Sequence, residues 1–126
     1  KINACTDITG FGLAGHLLEM LSGGFSAEII LNSIPLLEGA EECINNGMYS
    51  SLQTENESNL SFLKYDKKLE NSIRILFDPQ TAGGLLVAIP HDGTDSCLAE
   101  LNQNGYHAAN IGKIVKKSKI KNITII

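Results

Sequence analysis

The sequence predicts an α+β domain, in which strands mix with single helices and hairpins instead of alternating as regular βαβ units. Three observations support this. Apolar residues recur at helical spacing in only a few places, short apolar runs of strand length lie between them, and glycine, proline and asparagine punctuate the junctions. A chain of 126 residues suits one domain, residues 1–126, able to bury about two-thirds of the surface it exposes when unfolded.

The first helix is expected from Gly10 to Ser22. Phe11, Ala14, Leu17, Leu18 and Leu21 fall three or four apart and make one apolar face, which places Phe11 in the core. Thr6, Asp7 or Thr9 would cap this helix, and Gly23-Gly24 would stop it. Phe25 to Leu31 reads as a strand, and Leu36 to Ile44 as a short helix ended by Asn45-Asn46-Gly47. Ser50 to Asn59 has no periodicity and reads as a loop. Ile73 to Phe77 and Leu85 to Ile89 are runs of buried-strand type. Asp78-Pro79-Gln80-Thr81 between them fits a type I turn, with Gly83-Gly84 allowing close backbone approach. Asp92 or Thr94 would start a helix through Leu98 and Leu101 that ends near Gly105. Ala108 to Val115 and Lys119 to Ile126 read as a final pair of strands.

Composition excludes several classes. A net charge of −4 argues against a general nucleic-acid binder, which needs a positive footprint. Lys113, Lys116, Lys117, Lys119 and Lys121 do cluster, but lysines at a solvated hairpin edge discourage edge-to-edge pairing, and that accounts for them. No run of about 18 apolar residues offers a membrane span, and no signal peptide is visible. Cys5, Cys43 and Cys97 are odd in number and lack a C-x-x-C pair, which favours reduced intracellular thiols over a disulfide or zinc framework. The sequons beginning at Asn56, Asn59 and Asn122 are then accidental. Lys1 is not an initiator methionine, and the most informative motif begins close behind it. The expectation is a fragment with an upstream partner.

That motif is Ala4-Cys5-Thr6-Asp7-Ile8-Thr9-Gly10-Phe11-Gly12-Leu13-Ala14-Gly15-His16. Where a helix begins, free N–H groups and the positive dipole end attract phosphate. Gly10 to Gly15 formally matches G-x-G-x-x-G and precedes a strand bearing Glu28. A dinucleotide site, however, needs an apolar strand running straight into the first glycine. Here Asp7 puts a fixed negative charge near the phosphate position. A bare carboxylate repels phosphate, whereas one that holds Mg²⁺ recruits it, so a metal reading is preferred. Helix capping is the plain alternative for Asp7. Thr6, Thr9, Gly10 and Gly12 are further candidates for the phosphate side, with capping again the alternative. His16 receives no catalytic role.

This segment and Phe77-Asp78-Pro79-Gln80-Thr81-Ala82-Gly83-Gly84-Leu85-Leu86 together resemble the C-terminal domain of the selenophosphate synthetases (selenide, water dikinases), in the aminoimidazole-ribonucleotide synthetase superfamily. Ile34-Pro35-Leu36-Leu37, Gly39-Ala40 and Ile111-Gly112 extend the resemblance over nearly the whole chain. It implies a mixed, largely antiparallel sheet flanked by helices. It also implies an enzyme that converts ATP, selenide and water to selenophosphate, AMP and phosphate with Mg²⁺.

Asp7 matches the family's magnesium-ligating aspartate, and Thr6, Thr9, Gly10 and Gly12 lie on the ATP phosphate side. The reactive Cys or selenocysteine and its lysine belong to the family's N-terminal, ATP-binding domain. No residue of this chain is therefore expected to be catalytic, none of its three cysteines inherits the nucleophile's role, and the chain alone should be inactive. The implied partners are that missing domain, selenide, ATP and a second copy in a cytoplasmic homodimer, with neither nucleic acid nor membrane involved. Ser50 to Asn59 departs from the glycine-rich, arginine-containing sequence of many members and receives no function. The roles of Gln80 and Thr81 stay open. The alternatives are another ATP-dependent synthetase of the superfamily, or a non-catalytic assembly module.

Overall fold

The computed structural model describes residues 1–117 and 121–126. Lys119 and the beginning of the strand expected from it lie outside the described residues. The elements run β1 (Ala4–Asp7), α1 (Gly12–Met20), β2 (Phe25–Ile29), α2 (Ala40–Asn45), α3 (Gln53–Asn56), β3 (Leu63–Lys64), β4 (Leu85–Ala88), α4 (Thr94–Gln103), β5 (Gly112–Lys116) and β6 (Ile123–Ile125), with short 3₁₀ segments between several of them.

The strands form two sheets. β1 and β4 make an antiparallel pair, and the second sheet runs β3-β6-β2-β5. In it β2 is antiparallel to β5 and parallel to β6, and β6 is parallel to β3. The two longer ladders, β1 with β4 and β2 with β5, are both antiparallel. The expected α+β class with a mixed sheet is therefore what the chain adopts.

One hydrophobic core unites the parts. Leu13, Ala14, Leu17 and Leu21 from α1 and its end meet Ala27 and Ile29 of β2, Leu63 of β3, and Ile123 and Ile125 of β6. Ile73, Leu76 and Phe77 complete the cluster from a 3₁₀ segment, Ser72–Phe77. A strand was expected there. A short apolar run does not reveal its own period, and the buried residues here stand three and four apart, which is helical spacing.

Other expectations are corrected in the same way. Phe11 is not core but 57 % exposed. It falls at the N-cap of α1, before the first full turn has brought its apolar face round to the sheet. No side chain caps α1, so neither Thr6, Asp7 nor Thr9 fills that role. The helix expected from Leu36 begins only at Ala40, leaving Leu37 on the surface. β4 is not buried on both faces: Leu85 and Val87 point outward while Leu86 packs on the core. The final two strands do not form a hairpin. Each instead flanks β2, so β5 is a sheet edge, where Lys113 pairs with Glu28 at 2.9 Å.

The segment read as a loop, Ser50 to Asn59, contains α3 and the start of a 3₁₀ stretch, Glu57–Phe62. Its polar residues order it because they find partners inside the protein. Gln53 is buried, and its Nε2 donates to Glu57 Oε1 and to the Arg74 carbonyl. Arg74 donates from Nε and Nη2 to the two oxygens of Glu57, at 2.9 and 3.2 Å, and stacks over Tyr49. The bond to Glu57 raises the guanidinium pKa further above its ordinary value, so the pair keeps its positive member at any pH the fold survives. Among the described residues no helix is long and apolar enough to cross a membrane.

A candidate phosphate-facing platform

The two singled-out segments are neighbours in space. β1 carries the first and β4 continues from the second, in a register that sets Asp7 opposite Leu85 and Thr6 opposite Leu86. The ladder continues into the loops. Ile8 N–H donates to the Gly84 carbonyl and Gly83 N–H to the Ile8 carbonyl, both at 3.0 Å. The Thr9 carbonyl then accepts from Gln80 N–H and Gly12 N–H, also at 3.0 Å each. Asp78 to Thr81 therefore closes no turn bond of its own. The Gln80 N–H inside this segment goes to Thr9, and the Asp78 carboxylate accepts from Gln80 Nε2 at 2.7 Å.

Two glycines permit this closeness. A Cβ on Gly83 would lie 2.3 Å from the Ile8 carbonyl oxygen. Gly12 has φ +67°, and a Cβ there would meet the Leu76 oxygen and the Phe77 carbonyl carbon at 2.9 Å. Both conflicts are with backbone, which cannot swing aside as a flexible side chain would.

A third segment, for which the sequence predicts no role, locks the pair. Asn56 is buried, and its Nδ2 donates to the Gly10 carbonyl at 2.8 Å and the Phe77 carbonyl at 3.0 Å. One amide thus bridges the two motifs. Nothing in a run of Ser, Gln, Thr, Glu and Asn distinguishes that asparagine from its neighbours, so only the fold reveals it. Replacing it with alanine leaves two carbonyls short of a donor and is expected to cost about 2–3 kcal/mol. Urea unfolding checks this, and an unchanged midpoint would mean that water replaces the amide.

On this frame the candidate residues take different positions. Side chains alternate along β1, so Cys5 and Asp7 share the outward face and Thr6 turns the other way. Thr6 donates its hydroxyl to the Asp7 carbonyl. Asp7 is exposed, and among the described residues nothing hydrogen-bonds to its carboxylate or pairs with it. With Leu85 and Val87 opposite, it forms a face of one free carboxylate among apolar side chains.

Gly10 is half-buried, with its carbonyl held by Asn56. The Gly12 N–H is engaged by Thr9, and its Cα packs against residues 76–78. Thr9 Oγ1 lies 3.0 Å from His16 Nε2. His16 is buried, and its Nδ1 is 3.0 Å from Glu19 Oε2. Cys5, Cys43 and Cys97 are free thiols.

Among the described residues no three His, Cys, Asp or Glu side chains gather as a metal cluster. The donor set fits a shared cation and not a resident one. Mg²⁺ takes one or two protein carboxylates, keeps water and fills its octahedron with phosphate oxygens. A single unengaged carboxylate can be one such ligand, and the others would come from outside the domain. Two surface depressions among the described residues, about 620 and 500 Å³, lie elsewhere, one around Leu36, Leu37 and Glu42 and the other around Cys97 and Tyr106.

The chain is thus an α+β domain that presents the free carboxylate of Asp7 on an exposed face, with two loops fixed beside it. The chain belongs to the family described as AIR synthase related protein, C-terminal domain, whose model matches residues 1–124. It is similar to a selenide, water dikinase of Carboxydothermus hydrogenoformans, 42% identical over 123 residues, which are 94% of this chain and 36% of the relative. A selenide, water dikinase of Campylobacter jejuni (strain RM1221) is 41% identical over 118 residues, 93% of this chain and 34% of its own length. One from Agathobacter rectalis is 38% identical over 121 residues, 94% and 35%. The chain thus spans about a third of the length of the curated relatives it matches. The resemblance drawn from the two motifs is borne out.

Proposed function

We propose that this domain is the C-terminal part of a selenophosphate synthetase, which makes selenophosphate, AMP and phosphate from ATP, selenide and water. In this reading the domain contributes Asp7 as one ligand of a Mg²⁺ ion at the ATP phosphates. The observation behind it is the free carboxylate of Asp7 on an open face, beside a loop pair held by Thr9, Gly12, Gly83 and Asn56. The bound cation would neutralise charge on the phosphates, which is the main demand of phosphoryl transfer. Thr6, Thr9 and Gly10 flank Asp7 in sequence on the phosphate side. Gly12 serves by packing, since it lets the helix start lie against residues 76–78.

The similarity to proteins named selenide, water dikinase supports the substrate class. Leu85 and Val87, open on the same face as Asp7, are the surface that the remainder of a longer polypeptide would cover, bringing the nucleotide site and the nucleophile. The test compares two preparations for selenide-dependent formation of AMP from ATP. The full-length polypeptide should turn over, while the 126-residue chain alone should be inactive and bind Mg-ATP poorly. Turnover by the isolated chain would refute the composite site. ATP consumption by the full-length protein that ignores selenide would refute the substrate.

A further inference from the structure

Thr9 heads a chain of three polar residues, of which the proposed function leaves His16 and Glu19 without a role. Its Oγ1 meets His16 Nε2, and His16 Nδ1 meets Glu19 Oε2, each at 3.0 Å. The imidazole is buried under Phe11, with ring centroids 5.5 Å apart, while Glu19 reaches solvent. Proton positions follow from the far end of this chain. An ionised carboxylate only accepts hydrogen bonds, so the His16 hydrogen facing Glu19 must be on Nδ1. In the neutral imidazole Nε2 is then bare, and Thr9 must supply the proton between them. A hydroxyl has one proton to give. Once it is committed to His16, the Thr9 oxygen offers only lone pairs to anything else. The Thr9 carbonyl is meanwhile fixed by two N–H groups, so side-chain rotation is the freedom His16 removes.

We propose that His16, oriented by Glu19, is a positioning residue that makes the Thr9 hydroxyl a pure acceptor. Thr9 therefore engages a hydrogen-bond donor in the assembled site and not a phosphate oxygen, which is itself an acceptor. This rests on the proposed function only for placing Thr9 beside the nucleotide. The proton arrangement stands without it.

The first test is spectroscopic, on the full-length polypeptide labelled with ¹⁵N-histidine under conditions where the ring is neutral. The signal assigned to His16, by its loss in His16→Gln, should show hydrogen on Nδ1 and a bare Nε2. Glu19→Gln should relax it to a mixture of tautomers. Hydrogen on Nε2 in the unsubstituted protein overturns the proposal.

The second test is kinetic. Thr9→Val and His16→Phe should each raise the KM for ATP about 5- to 10-fold, with smaller effects on kcat. The double variant should be no worse than either single, since the two residues act as one unit. His16→Gln, which can place an acceptor where Nε2 was, should recover much of the loss. Multiplying losses, or a His16→Gln as impaired as His16→Phe, overturn the proposal. The two readings fail separately. The wrong tautomer with Asp7 still essential removes only this one, whereas Asp7 proving dispensable removes the proposed function and leaves the tautomer result intact.

Discussion

Asp7→Asn in the full-length polypeptide is expected to lower ATP turnover about 100-fold or more. Its melting temperature should stay within about 2 °C of the unsubstituted protein. The two halves of this expectation have different causes. Asparagine keeps the shape of aspartate but lacks the charge that competes with water for a hard divalent cation. Among the described residues no three potential ligands gather as a cluster that could hold the cation without Asp7. The fold, in contrast, does not use the side chain: it is exposed, caps no helix and pairs with no described group. Steady-state kinetics at varied Mg²⁺ separate a lost ligand from a lost fold. A defect that high Mg²⁺ partly repairs fits a weakened cation site. Near-normal turnover would remove Asp7 from the site altogether.

Gly12→Ala should have the largest effect on stability, about 3 kcal/mol or more. Two costs add there. The backbone at φ +67° is one that an L side chain adopts with strain, and the new Cβ would press on main-chain atoms of Leu76 and Phe77. Relief requires α1 to lift from the 3₁₀ segment, which would disturb Leu76 and Phe77 in the core and the Asn56 bridge together. Chemical denaturation measures the loss. A midpoint within error of the unsubstituted protein would show that the helix start shifts freely, and the platform would then not be rigid.

Much of this was legible in the sequence where a pattern repeats. The apolar spacing of Ala14, Leu17 and Leu21 gave α1, and the Ile29 run gave β2. Asp7 stood out as a carboxylate in glycine-rich surroundings that should repel phosphate. What failed to show was decided by partners distant in sequence. Ile73 to Phe77 is helical because it fills a space between α1 and the sheet, and five residues carry too little period to say so. Asn56 and Gln53 look like loop residues until their amides are seen to meet carbonyls from elsewhere in the chain. Phe11 misleads because helical spacing does not mark the residue at which a helix starts. The two motifs announced themselves separately, but their pairing through β1 and β4 could not be read from either one.

The place of β6 has a consequence for how the molecule forms. β6 lies between β3 and β2, yet Ala27 and Ile123 meet across about three-quarters of the 126-residue chain. Contacts of such sequence separation must overcome loop-closure entropy before they are rewarded, and they slow folding. The four-stranded sheet therefore assembles late, with the short β3 unable to find its place until β6 is in position. During synthesis α1 emerges ahead of residues 123–125 and must wait for Ile123 and Ile125 before its packing is complete.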